Sequence, residues 1–146
     1  MLNDALVAAA SRKGRSEYRA VEALLKGIEI PLPPGSSFRD KDGHERHDAR
    51  VRWWDSAAIT YQQAALIPPG SDTHLTGEEI PNDARVGYSD DKPVFFGHYW
   101  LTGNPEPQSP SVACVDYSAG KEREPLVAYR FDGEPELDAG KFVSSH

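Results

Sequence analysis

The chain has 146 residues, enough for one domain or a large piece of one, with a formal net charge of -7. That charge argues against a nucleic-acid polymer and against an anionic membrane surface as partner, since both select positive proteins. Mean hydropathy is -0.60, and no apolar run approaches the roughly 20 residues of a spanning helix.

The N-terminus, "MLNDALVAAASRKG", carries Asp4 and no basic opening, unlike a secretory signal. The single Cys114 excludes an intrachain disulfide and suits a reducing, cytoplasmic setting. Twelve prolines and twelve glycines imply many loops between short elements.

Residues 1–27 read as helical. Asn3 caps a first helix through Leu6, Val7 and Ala8–Ala10, and Gly14 closes it. Ser16 caps a second, with Tyr18, Val21, Leu24 and Leu25 at helical spacing and Gly27 as its stop. Residues 28–66 read as an extended Pro-rich entry, a hairpin and a short helix. Asp42–Gly43 is the hairpin signal, with arms Ser37–Asp40 and about Arg46–Trp54. In the second arm Val51 and Trp53 alternate with Arg50, Arg52 and Trp54, giving an apolar face and a basic one. "SAAITYQQAAL" predicts a short helix capped by Asp55 or Ser56.

Residues 67–92 are rich in Pro, Gly, Asp and Ser, and read as a long surface loop. Residues 93–146 read as β-rich. Val94–Phe96, Val112–Tyr117 and Leu126–Phe131 are the expected strands, the last two joined as an antiparallel hairpin, and Phe142–Val143 closes the chain.

The chain holds no Gly-rich phosphate loop, CxxC, HExxH or GxSxG. His44 and His47 fall in the hairpin, where strand alternation points them to opposite faces. His98 differs by setting. It follows the apolar run Pro93–Phe96 and Gly97, at the position where a strand ends and the chain turns. By itself it fits a hydrogen-bonded structural histidine as well as a metal ligand. Arg39, Lys41, Arg46, Arg50 and Arg52 form a basic cluster in an acidic chain, either a grip for a substrate phosphate or a solvated hairpin face. Tyr99 and Trp100 fit either a wall for a bound ring or aromatic packing under the loop. Cys114 fits a core position, and Asp116 a role in orienting backbone rather than binding metal.

The ordered set "IEIPLPPGSSFRDKDGH", "ARVRWW", "PVFFGHYWL", "ACVDYS" and "LVAYRFDGE" resembles the calcineurin-like metallophosphoesterases. More narrowly, it is similar to the bacterial branch described as serine/threonine protein phosphatase or diadenosine-tetraphosphatase-like. The resemblance covers nearly the whole chain. It implies an α+β fold, a mostly antiparallel sheet with N-terminal helices and a projecting β-hairpin, forming part of an α/β/β/α sandwich. It implies two divalent metal ions (Mn, Fe, Zn or Mg), a phosphoester or nucleotide substrate and His98 as metal ligand; from the basic cluster and the aromatic pair, Arg50, Arg52 and Tyr99 are the candidate substrate-binding residues.

That family builds its centre from GDxHG, GDxxDRG, GNH, a lone His and a final GH. Only the last is here, at Gly97–His98; Gly103–Asn104 is followed by Pro105. Two ions about 3.5–4 Å apart cannot be held by one imidazole. The chain is therefore expected to behave as a single partial domain, residues 1–146, the C-terminal half of such an enzyme. It should bind no metal tightly and hydrolyse little alone. An uncovered apolar face on such a half would favour self-association. The alternatives are a non-catalytic module complementing a separate metal-binding half, or a truncated product without activity.

Overall fold

The computed structural model describes residues 3–40, 42–119 and 124–145. The chain divides into two compact units, Met1–Trp53 with Ala58–Arg85, and Trp54–Ala57 with Val86–His146. Helices and short, mainly antiparallel sheets make it α+β. Among the described residues no helix is long and apolar enough to cross a membrane.

In the first unit α1 (Asp4–Ala10) starts as its sequence dictates. The Asn3 side chain accepts from the Leu6 N–H at 2.9 Å, satisfying one of the donors every helix start leaves open. α2 (Ser16–Lys26) begins one residue earlier than expected. Arg15 takes the capping position without a side-chain bond, and Gly27 ends the helix at φ +86. Neither helix has a buried residue. Along the apolar stripe Tyr18 and Val21 are half-buried, whereas Leu24 and Leu25 stand in solvent.

The prolines of "IEIPLPP" hold the next segment extended. β1 (Glu29–Pro31) pairs antiparallel with β4 (Asp48–Val51), Ile30 opposite Ala49. Pro31 is tolerated because β1 lies at the sheet edge. β5 (Ala65–Leu66) joins β4 on its other side. Between β1 and β4 projects the hairpin β2 (Phe38–Arg39) and β3 (Glu45–Arg46) around Gly43, φ +81. The second arm is shorter than the expected Arg46–Trp54. The chain leaves the hairpin after Arg46 and enters the three-stranded sheet, where Ala49 and Val51 are buried and Arg50 is half-buried. The alternation holds only over Ala49–Val51, in a different sheet; β4 ends there, and Trp54, expected on the basic face, is buried.

The short helix α3 (Tyr61–Ala64) starts at Thr60, not at Asp55 or Ser56. Gln63 Oε1 accepts from the Thr60 N–H at 3.3 Å, an arm of a capping box. Ile30, Val51, Ala58, Ala64, Ile80 and Ala84 form the core, with Ile28 and Tyr61 packed against it. A second cluster gathers Leu32, Ala49 and Ala65. Two of the core residues, Ile80 and Ala84, come from the segment expected to be surface loop. Ile80 N donates to Ile59 O at 2.9 Å, Tyr61 N donates to Glu78 O at 3.0 Å, and Arg85 Nη2 reaches Ile80 O at 2.8 Å. These bonds, with one 3-10 turn at Asn82–Ala84, draw an otherwise irregular segment into the core.

The second unit contains β6 (Val94–Phe96) and β7 (Val112–Cys114), paired in parallel, and the antiparallel pair β8 (Val127–Tyr129) and β9 (Phe142–Ser144). The expected hairpin between the second and third of these strands does not form. The far edge of β7 is already taken: Gln108 N donates to Val112 O at 2.8 Å, Val112 N donates to Ser109 O at 3.2 Å, and the Gln108 side chain accepts from Cys114 N. β8 finds its partner in β9 instead. β7 is wholly buried. Burial pushes the Cys114 thiol up to about 11, despite a bond from the Asp116 N–H. It is a core residue, as its apolar neighbours predict.

Glu134 stitches the β8–β9 end together. Tyr129 OH donates to Glu134 Oε1 at 2.7 Å, and Lys141 Nζ and Asp132 N donate to Oε2, each at 2.9 Å. Desolvation raises its affinity for a proton, but these donors outweigh it and hold the carboxyl at about 2. Asp40 is also held at about 2: desolvation is opposed by Arg46 and by the His44 and Asp42 N–H groups. Both groups lie below their unfolded values of about 4. Their contribution is therefore complete above pH ~4 and is lost as pH falls toward 2. Carbon-detected titration should place both midpoints near pH 2, and Asp40→Asn should weaken the acid dependence of the hairpin amides. A midpoint for either carboxyl near 4 would contradict the bonding described.

Candidate functional site

The site is built where the two parallel strands end. After Phe96 the chain runs Gly97–His98–Tyr99–Trp100–Leu101; after Cys114 it runs Val115–Asp116–Tyr117–Ser118. These two turns are tied together. Asp116 Oδ2 accepts from Trp100 N at 3.3 Å, its Oδ1 accepts from Ser118 N at 3.1 Å, and its main-chain oxygen accepts from Leu101 N at 3.0 Å. Asp116 thus orients backbone, as expected.

His98, Trp100 and Ser118 have positive φ, at +69, +54 and +62, and they are the non-glycine residues so placed among the described residues. Left-handed backbone costs roughly 1–3 kcal/mol for a residue with a Cβ and persists only where surroundings enforce it. Here Asp116 receives two of the three main-chain amides concerned, and the half-buried carboxylate is the enforcing group. The outcome is an exposed His98 ring on a fixed turn, not a ring packed among hydrocarbon. At Gly97 a Cβ would lie 3.5 Å from the Asp116 Cβ, an ordinary contact. Packing inside this unit does not by itself demand glycine there.

Tyr99 points the other way. Only 8% exposed, it meets Phe96 edge-on at 4.9 Å and Trp54 at 5.5 Å. Trp54 also lies 5.1 Å from Phe96. This aromatic triad supports the turn from beneath, and the exposed ring beside His98 in sequence is Trp100, at 42%.

The described residues of the basic cluster belong to the first unit, and Arg39, Arg46 and Arg50 face acids or main chain. Arg46 Nη2 lies 2.6 Å from Asp40 Oδ2, Arg39 Nη1 donates to Gly43 O at 2.8 Å, and Arg50 Nε lies 3.6 Å from Glu29 Oε1. Arg52 is exposed, and its main-chain N donates to Ala64 O at 2.8 Å. Lys41 lies outside the described residues. A groove of about 540 Å³ runs between the hairpin and residues 68–73. Arg39, Asp40, Glu45 and Asp72 all line it, so its one cation is outnumbered by three carboxylates, a poor receptor for an anion.

Two divalent ions need several His and carboxylate ligands converging on one point. Among the described residues the one group of three such side chains with ligand atoms within 4.8 Å of one another is Asp40, Asp42 and His44, at the hairpin apex. The Asp40 carboxylate there already receives the Arg46 guanidinium and the Asp42 and His44 amides. It is a latch for the turn, and the sequence reading did not single it out, although an Asp two residues before Asp42 is the usual signal for such a turn. His98 belongs to no comparable group among the described residues. Among the described residues, those brought together do not fit a two-metal centre. Comparison of the chain with protein-family models, with curated proteins and with solved structures gave no match.

Proposed function

We propose that this chain contributes His98 to a phosphoester-hydrolysing metal centre most of whose ligand motifs its sequence lacks, and that it hydrolyses little or nothing alone. The observation carrying this reading is the left-handed, exposed His98 at the carboxyl end of β6, locked by Asp116. Strained backbone that presents an imidazole at the carboxyl end of a parallel strand is the kind of placement that functional groups occupy. The ordered motifs around Gly97–His98 supply the reaction class: hydrolysis of a phosphoprotein or a dinucleoside polyphosphate. In this reading β6 and β7 are part of an α/β/β/α sandwich, and Tyr99 walls the site through packing. The buried, unpaired-in-sequence Cys114 fits a cytoplasmic protein.

With p-nitrophenyl phosphate and Mn²⁺ the chain alone should show no turnover above buffer. Mixed with a polypeptide carrying GDxHG, GDxxDRG and GNH, it should restore turnover, and His98→Ala should abolish that gain. Sustained hydrolysis by the chain alone, lost in His98→Ala, would refute the incompleteness. A restored rate indifferent to His98→Ala would refute the ligand role.

A further inference from the structure

We draw no further inference here: the strongest candidate, the apolar surface of the N-terminal helix pair, where Leu6, Val7, Leu24 and Leu25 are exposed, carries none because nothing in the structure shows what covers it.

Discussion

Replacing Ile80 by alanine should destabilise the first unit by about 2–5 kcal/mol, the range for deleting a buried Ile side chain. Ile80 is 1% exposed, and its neighbours in the core include Ala58, Ala64 and Ala84. Such short side chains have no rotamers with which to fill the space left. The backbone cannot follow either, because Ile80 N bonds Ile59 O and its carbonyl accepts from Arg85 Nε and Nη2. The cavity should therefore persist, which puts the loss in the upper part of that range. Ile80→Val removes one methylene and should cost only about 0.5–1.5 kcal/mol. Urea unfolding followed through exchange of the β1 and β4 amides reads the first unit separately. A loss below about 1 kcal/mol for Ile80→Ala would mean that residues 67–85 are not integral to that core.

The same residue shows where a linear reading stops. Asn3, Gly27 and Asp42–Gly43 were legible because each acts on its own turn: a side-chain cap, a left-handed stop and a hairpin apex need only neighbours in sequence. Ile80 was not, because one isoleucine in a stretch of Pro, Gly and Asp has no period to reveal its face. Only the bonds to Ile59 and Glu78 bring it inward. Strand existence at 94–96, 112–114 and 127–129 was readable from apolar runs, but partner choice was not. The side chain of Gln108, six residues before Cys114, occupies the edge where β8 was expected. The candidate site divides in the same way. Gly97–His98 stood out as a histidine after a strand. That its backbone is left-handed could not be read there, because the enforcing carboxylate is 16 residues further on from Trp100.

That carboxylate makes the second large effect. Asp116→Ala should cost the second unit roughly 1.5–3 kcal/mol, the scale of hydrogen bonds to a charged acceptor whose donors are left behind. The loss should concentrate where the acceptor acted. Trp100 N and Ser118 N lose their partner, and the left-handed backbone at 98, 100 and 118 loses the group that enforces it. Exchange at Trp100 and Ser118 should accelerate by more than exchange at β8 and β9. Asp116→Asn keeps one oxygen to accept from one of the two amides, so its effect should fall between wild type and alanine. If the His98 turn is functional because it is held, Asp116→Ala should also lower turnover in the reconstituted mixture. Unchanged exchange at Trp100 and Ser118 would show that the turn is fixed by something other than Asp116, and the placement of His98 would then need another cause.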